Sequence, residues 1–310
     1  MSKKTLKTVI IFLDTDTHTS PFDMLTAVDL FPDAQIFHYS NVTPDNARRL
    51  IQDAMFPRGP EGAKYTKIFI GGDDVDKALE ILSVAKKNMF PPFELSIIVD
   101  PRGAYTTASA VVAKTFLWSM KKGFDGFDGK TVTVLAGTGP VGQTAARLYA
   151  TENANVVVTS RNLARATMVS EKINEEIGDK RAVGRKAETS TEVGKAIENS
   201  DIIVAAGAAK VQLLPLKILR EYGKRCRIVA DVNAVPPLGV EGLKSTDEGV
   251  EILPKVWGIG AISIGTFKNK VEARLFKAAV ESSKGIFDYK IAYKEAKDMT
   301  LAKLQKLPEA

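Results

Sequence analysis

The stretch Val132-Thr-Val-Leu-Ala136-Gly137-Thr-Gly139-Pro-Val-Gly142 is the strongest indication of the fold, because an apolar strand runs directly into a G-x-G-x-x-G loop that opens a helix. In such a loop the first glycine permits a tight turn and the second lets the backbone approach a pyrophosphate. The third lets the helix pack closely on the sheet. The alternative is a purely structural glycine cluster. We favour a dinucleotide site, formed by Gly137, Thr138, Gly139, Pro140, Val141 and Gly142.

The end of the next predicted strand indicates which dinucleotide is bound. An acidic residue about 20 residues after the loop would bind the ribose 2′-hydroxyl of NAD. Here the strand ends in Thr159-Ser160-Arg161, with Arg165 one helical turn later and no carboxylate among them. A hydroxyl and two guanidinium groups suit a 2′-phosphate. We therefore predict NADP as the cofactor, bound by Ser160, Arg161 and Arg165; the alternative is that both arginines lie on a solvated helix face.

Two later strand ends are expected near the cofactor, because ligands of such sheets lie beyond the carboxyl ends of the strands. These are Ala205-Ala206-Gly207-Ala208 and Asp231-Val-Asn233-Ala-Val-Pro236-Pro237. Small residues at the first permit close backbone approach. We predict contacts from Ala206, Gly207 and Asn233, although either segment could be a plain turn.

Short β-branched runs alternate with amphipathic stretches along the whole chain, which is typical of α/β proteins with parallel sheets. We predict two doubly wound parallel-sheet domains, the second Rossmann-like, with an interdomain cleft. A Gly- and Asp-rich segment at 121–130 marks the boundary between domains 1–122 and 123–269, and helices from about 270 to 310 are expected to pack back on the first. The predicted strands are 8–13, 35–39, 67–70, 95–99, 131–136, 155–159, 202–206 and 227–231; the helices include 23–30, 44–54, 75–88, 104–121, 268–282 and 287–307.

Composition narrows the class of protein further. The 310 residues are 45% hydrophobic and 26% charged, which excludes disordered and membrane-spanning classes. The single cysteine, Cys226, excludes an intramolecular disulfide, and two histidines beside it give no metal site. The net charge of +6 is scattered, so a nucleic-acid partner is not expected. We expect a cytoplasmic homo-oligomer that binds no metal, nucleic acid or membrane.

Two polar loops follow strands of the first predicted domain. They read Asp14-Thr-Asp16-Thr-His18-Thr-Ser20-Pro21-Phe22-Asp23 and Asp100-Pro-Arg102-Gly103-Ala-Tyr105-Thr106-Thr107. At carboxyl strand ends that face a nicotinamide, such loops predict a substrate cleft. The candidate ligands from the loop residues themselves are Asp14, His18, Ser20 and Asp100. The alternative for part of the first loop is helix capping, with Ser20 and Asp23 forming nearly a capping box.

These loops and the glycine motif give the chain a specific resemblance. It resembles the methylene-tetrahydromethanopterin dehydrogenases and the closely related methylene-tetrahydrofolate dehydrogenases of methylotrophic bacteria. The matching stretches run in order along nearly the whole chain: 20–23, 41–45, 70–72, 100–107, 135–142, 231–239 and 258–268. The resemblance implies an NADP-linked dehydrogenase of a pterin that carries a one-carbon unit, such as tetrahydromethanopterin.

The resemblance also implies residue roles. It assigns Phe22 and Asp23 to the pterin pocket, Thr106 and Thr107 to its other wall, and the functional lysine to Lys268. At the start of the predicted helix 268–282, a lysine is locally unfavourable, which supports a role; the alternative is an ordinary surface lysine. His18 is equally compatible with a pterin hydrogen bond or a plain loop contact. Asn41-Val-Thr-Pro44 is also similar to shikimate dehydrogenases, but the catalytic lysine that would follow there is missing.

The implied reaction needs little acid-base chemistry. Hydride leaves the methylene bridge between two pterin nitrogens, and the methenyl cation is delocalised over both, so no proton is removed from that carbon. A charged Lys268 beside this cation would raise the barrier, so we expect it to hold a pterin oxygen or Asp23. Alternatives are a methylene-tetrahydrofolate dehydrogenase, a dihydromethanopterin reductase or a non-catalytic NADP sensor; the sensor should lack the cleft residues that this chain has.

Overall fold

The computed structural model describes residues 6–306. The strands, in chain order, are β1 Val9–Asp14, β2 Gln35–Tyr39, β3 Thr66–Gly71, β4 Ser96–Val99, β5 Thr131–Leu135, β6 Asn155–Ser160, β7 Ala182–Lys186, β8 Ile202–Ala205, β9 Ile228–Asp231, β10 Glu248–Leu253, β11 Val256–Ile259 and β12 Gly285–Phe287. The helices are α1 Pro21–Leu30, α2 Pro44–Met55, α3 Gly59–Ala63, α4 Val75–Asn88, α5 Ala104–Lys121, α6 Pro140–Thr151, α7 Leu163–Ile177, α8 Ser190–Ile197, α9 Leu216–Tyr222, α10 Ala261–Glu281 and α11 Tyr289–Leu304, with a short 3₁₀ turn at Pro101–Gly103.

The chain forms two compact units. The first holds the chain up to Thr106 together with Lys270–Glu295, and the second holds Thr107–Asn269 and the chain from Ala296 on. Sequence patterns suggested a boundary near residue 122, at the end of α5. In the structure the division falls inside α5, at its first turn, and the middle of α10 returns the chain to the first unit.

The first unit is built on a five-stranded parallel sheet in the order β12-β4-β3-β1-β2. Its strand order reverses between β1 and β3, where doubly wound sheets open a crevice at the carboxyl ends of the strands. Phe12, Phe69 and Phe276 form its aromatic centre, and the Phe69 and Phe276 rings stack with centroids 5.4 Å apart. Register places the end of β1, Asp14, beside Gly71 at the end of β3.

The second unit is built on a seven-stranded sheet in the order β10-β11-β9-β8-β5-β6-β7, parallel except for β10. This is the strand order of a dinucleotide-binding Rossmann sheet with an added antiparallel edge, and its switch point lies between β5 and β8. The β5 strand lies between β8 and β6 inside the sheet, and its residues Val132, Val134 and Leu135 are therefore at most 1% exposed. The prediction of two doubly wound α/β sheets, the second Rossmann-like, is confirmed.

All eight predicted strands form, each within one residue of its predicted ends. The prediction that a helix begins at Lys268 is wrong, because α10 begins at Ala261 and runs through Gly265. Ile264, Phe267 and Val271 bury one face of this helix at helical spacing, which outweighs the propensity cost of one glycine. Lys268 therefore lies about two turns inside the helix and not at an unfavourable helix end.

Within residues 6–306, no helix combines the length and apolar character needed to cross a membrane. The same part of the chain brings no three histidine, cysteine or acidic side chains close enough together to hold a metal ion.

Candidate functional site

The glycine loop of the second unit has the shape that a pyrophosphate site requires. Gly137 and Gly142 are required by packing: an added Cβ would lie 2.8 Å from the Val134 carbonyl oxygen at the first and 2.7 Å from Gly137 Cα at the second. Gly139 differs from both. Its added Cβ would meet nothing nearer than the Ala136 oxygen at 3.8 Å, and its φ of −78° suits any residue.

Gly139 therefore has no packing reason to be glycine. It is the N-cap of α6, with no side-chain cap, and Pro140 follows at the start of the helix. Amide groups at a helix start attract phosphate, and a missing Cβ lets the phosphate approach them. The open space over Gly139 fits the pyrophosphate of a dinucleotide.

A cavity of about 410 Å³ opens beside this loop at the β5–β8 switch point. Its volume is that of a small-molecule site. Of the predicted cofactor residues, it is lined by Thr138, Gly139, Ser160, Arg161, Arg165, Ala206 and Gly207. Further lining residues, beyond those predicted, are Leu135, Ala136, Thr159, Ala187, Val193, Ala208, Val211 and Leu213.

The end of β6 gives the cavity its positive side. Asn162 caps α7 by accepting a hydrogen bond from the Arg165 amide at 3.2 Å, which fixes Arg165 in the first turn. Neither Arg161 nor Arg165 forms an ion pair with another residue in the described part of the chain, and no carboxylate lines the cavity. Two uncompensated guanidinium groups beside Ser160 match a 2′-phosphate better than a 2′-hydroxyl.

Asn233 holds the turn after β9. Its Oδ1 accepts a hydrogen bond from the Val235 amide and its Nδ2 donates to the Pro237 carbonyl, so both ends of the amide hold the turn after β9. Asp231, buried at the end of β9, accepts hydrogen bonds from the Asn233 and Val240 amides, and burial raises its pKa. Asn233 does not line the cavity. Four predicted residues of the glycine loop and the start of α6 are also not part of the cavity lining: Gly137, Pro140, Val141 and Gly142.

In the first unit, the loop after β1 is organised by a buried carboxylate. Asp14 Oδ1 accepts a hydrogen bond from the Asp16 amide at 2.9 Å, and Oδ2 accepts one from the Ser20 amide at 3.1 Å. Burial raises the pKa of Asp14, and the hydrogen bonds and Arg102 oppose that shift. Both carboxylate oxygens are therefore engaged within the loop, which indicates a structural role for Asp14.

The start of α1 is left without a side-chain cap. Ser20 occupies the N-cap position, but its hydroxyl caps no amide. Asp23, in the first turn, is only 3% exposed and has no hydrogen-bond or ion-pair partner within residues 6–306. Interpreting Ser20 and Asp23 as a capping box is therefore wrong, because Asp14 takes the Ser20 amide that a capping box would use. His18 is exposed near this helix start, and Phe22 is 52% exposed.

The loop after β4 is organised in the same way. Asp100 is fully buried and accepts hydrogen bonds from the Tyr105 amide at 2.8 Å and from the Thr106 hydroxyl at 2.6 Å. The Thr106 hydroxyl is thus used to start α5. Thr107, the next residue of the helix, is half-buried, and its hydroxyl has no hydrogen bond to the residues described.

Lys268 is 7% exposed in α10, so it is a buried lysine and the interpretation as an ordinary surface lysine is wrong. Its neighbour Lys270 is exposed. Burying an ammonium group costs free energy that a surface position would not, which favours a function for it.

Comparison with known proteins identifies the family. The model of the N-terminal domain of methylene-tetrahydromethanopterin dehydrogenase matches residues 21–102, and the shikimate/quinate 5-dehydrogenase model matches residues 119–241. In structure, the chain is similar to quinate dehydrogenase from Corynebacterium glutamicum in complex with NAD, with a TM-score of 0.51 and 11% identity over 94% of this chain and 99% of that one. At that identity the likeness shows a shared fold alone.

Two proteins of Methylorubrum extorquens are much more similar in sequence. The bifunctional protein MdtA is 36% identical over 96% of this chain and 100% of its own length. The NAD(P)-dependent methylenetetrahydromethanopterin dehydrogenase is 32% identical over 90% of this chain and 94% of its own length. The chain belongs to the methylene-tetrahydromethanopterin dehydrogenase family.

Proposed function

We propose that this protein oxidises methylene-tetrahydromethanopterin to methenyl-tetrahydromethanopterin by direct hydride transfer to NADP. The observation that carries the proposal is 32% identity, over 90% of the chain, to a relative named for this reaction. The family model on the substrate side and the cavity at Gly139 agree with it.

The chemistry asks the protein for position rather than for acid and base. Bound NADP would supply a hydride acceptor at its nicotinamide C4. The protein must hold the methylene carbon close to that atom and keep water from the cationic product. The residues of this chain are accordingly assigned to binding and orientation.

Binding of the cofactor falls to the second unit. The amides at the start of α6, reached over Gly139, hold the pyrophosphate. Ser160, Arg161 and Arg165 hold the 2′-phosphate, because a cavity with two arginines and no carboxylate favours NADP over NAD.

Binding of the pterin falls in part to the start of α1. The Asp23 carboxylate is buried without a partner, so it is available to accept hydrogen bonds from N–H groups of a pterin. The uncapped Ser20 hydroxyl adds a second polar group, and the half-exposed Phe22 ring offers an apolar face to the ring system. Thr107 contributes a hydroxyl from α5.

Lys268 acts on the substrate rather than on the departing hydride. An ammonium group beside the forming methenyl cation would destabilise it by Coulomb repulsion. A pterin oxygen is a suitable acceptor instead, and the contact orients the ring.

The deciding assay follows methenyl absorbance. Purified protein is mixed with formaldehyde and either tetrahydromethanopterin or tetrahydrofolate, with NADP and NAD in turn. The methenyl absorbance should rise fastest with tetrahydromethanopterin and NADP. A rise with tetrahydrofolate only would transfer the assignment to the folate carrier. No rise with either carrier would overturn the proposed dehydrogenase activity.

A further inference from the structure

A clasp of three charged residues joins the loops at the carboxyl ends of β1, β3 and β4. It consists of Asp16 after β1, Asp73 after β3 and Arg102 after β4. Arg102 donates to Asp16 Oδ2 through Nη2 at 2.7 Å and Nε at 3.1 Å, and its Nη2 also donates to Asp73 Oδ2 at 3.0 Å. Asp16 Oδ1 accepts a hydrogen bond from the Asp73 amide at 3.0 Å, which closes the clasp.

The backbone of Arg102 adopts a conformation that is unfavourable for a residue with a side chain. Its φ of 46° and ψ of 36° lie in the left-handed region, which costs an arginine about 1 kcal/mol. Such a conformation persists only when its surroundings hold it, and it is concentrated at functional sites. Here the 3₁₀ turn at Pro101–Gly103 directs the guanidinium toward the other two loops.

The clasp contributes little to global stability. Arg102 is 52% exposed and Asp73 68% exposed, and exposed ion pairs contribute about 0–1 kcal/mol each. The fold of the first unit rests on its buried parallel sheet instead. Locally the clasp matters more, because the buried hydroxyls of Thr15 and Thr19 in the loop after β1 have no hydrogen-bond partner in the described chain. Asp14 holds this loop from within through the Asp16 and Ser20 amides, and the clasp is what ties it to the loops after β3 and β4 by side chains.

We propose that Arg102 is a positioning residue of the carrier site, holding the loop that leads to Ser20 and Asp23 in register with the loop that starts α5. The inference rests on the proposed function. Arg102 itself touches two carboxylates, and it acts on the carrier through the loops they belong to. Loss of the clasp leaves the fold intact and lets these loops move at the β1–β3 switch point.

Steady-state kinetics test this role with three variants. In Arg102→Gln, the KM for the carrier should rise about tenfold, while the KM for NADP and the melting temperature stay close to wild type. Arg102→Lys should recover part of the loss, because an ammonium group keeps the charge but lacks the planar set of donors that pairs with both carboxylates.

Lys284→Gln is the matched control. Lys284 pairs with Glu94 at 2.6 Å, is 57% exposed, and joins segments at the opposite, amino-terminal ends of β4 and β12. It should behave as wild type. A carrier KM in Arg102→Gln that equals that of the control overturns the inference. An equal rise in the KM for the carrier and the KM for NADP overturns it as well.

Hydrogen exchange gives an arm that is independent of activity. The Asp73 amide, bonded to Asp16, and the segment 15–20 should exchange several-fold faster in Arg102→Gln than in Lys284→Gln. If the wild-type protein oxidises no carrier, the proposed function fails; unchanged exchange in an active protein defeats the clasp alone.

Discussion

The backbone amide of Ser20 donates a hydrogen bond to Oδ2 of Asp14 at 3.1 Å, so a buried carboxylate of β1 organises the start of α1. The same chain forms complete capping boxes elsewhere, at Thr43 and Asn46 of α2 and at Thr189 and Glu192 of α8. At α1 the hydroxyl of Ser20 and the carboxylate of Asp23 take no part in such a box. The proposed function assigns both to the pterin carrier.

Removing the Thr43 hydroxyl should therefore affect stability, whereas removing the Ser20 hydroxyl should affect binding of the carrier. Thr43→Ala should lower the free energy of unfolding by about 1 kcal/mol, because it removes a formed cap, and should leave the carrier KM unchanged. Ser20→Ala should change stability by less than about 0.5 kcal/mol and raise the carrier KM about fivefold. Urea unfolding and steady-state kinetics measure both quantities. A stability loss in Ser20→Ala equal to that in Thr43→Ala would show that Ser20 is a cap after all.

The glycine loop allows a second paired comparison. Gly142→Ala should destabilise the protein by about 1–3 kcal/mol, because the new Cβ would overlap Gly137 Cα. Gly139→Ala should fold with a wild-type melting temperature, since its Cβ enters open space, yet bind NADP about tenfold more weakly. Thermal unfolding and fluorescence titration separate the two. Unweakened NADP binding in a well-folded Gly139→Ala would remove the pyrophosphate from this loop.

Cofactor selectivity should depend on the arginines after β6. Arg161→Ala is expected to weaken NADP binding about 30-fold and to leave NAD binding nearly unchanged, because only NADP has the 2′-phosphate. Arg220→Ala, an exposed arginine of α9 outside the cavity, is the control. Calorimetric titration of the wild type and both variants with each dinucleotide gives the dissociation constants. Equal losses for NADP and NAD in Arg161→Ala would contradict the assignment.

Lys268 and Lys270 are neighbours with different burial. Lys268→Ala should reduce turnover about 100-fold with an unchanged dissociation constant for NADP, because the lysine orients the pterin. Lys270→Ala, at an exposed position, should retain wild-type turnover. Stopped-flow turnover and NADP titration are the measurements. Normal turnover in Lys268→Ala would end its role in the reaction.

A buried lysine away from the site should make stability depend on pH. Lys67 Nζ donates to the carbonyls of Lys64 and Ser282, and burial lowers its pKa to about 8. Above that pH the folded chain releases a proton that the unfolded chain, with an ordinary pKa of 10.5, retains. The free energy of unfolding should therefore rise between about pH 8 and 10, by at most about 1.4 kcal/mol per pH unit.

Lys67→Met should remove this rise, whereas Lys77→Met, at a lysine that is 55% exposed, should keep it. Urea unfolding at a series of pH values gives the slopes. Parallel slopes in wild type and Lys67→Met would show that Lys67 keeps its proton on folding.

Sequence patterns predicted the strands well because each buried strand is a short β-branched run ended by turn residues. They missed β7, β10, β11 and β12. The last of these, Gly285–Phe287, is three half-buried residues with no periodicity. They misplaced the start of α10 because Gly265 resembles a helix breaker. Only the structure shows that Ile264 and Phe267 are both buried in the core on one face of α10.

The site was predictable where it follows a local motif. The glycine loop and Arg161 lie at the two strand ends of one strand-helix-strand unit, β5-α6-β6, so their spacing was informative. Arg102 and Asp16 are far apart in sequence, and no local pattern joins them. The residue types and spacing of Ser20 and Asp23 are nearly those of a capping box. Only the hydrogen bond from the Ser20 amide to Asp14 shows that the box does not form.

Direct hydride transfer is tested by following the transferred hydrogen. Methylene-tetrahydromethanopterin prepared from fully deuterated formaldehyde is oxidised by the protein with NADP, and the reduced cofactor is examined by mass spectrometry. Direct transfer predicts reduced cofactor that carries one deuterium on its nicotinamide ring. Reduced cofactor without deuterium would contradict direct hydride transfer from the methylene carbon.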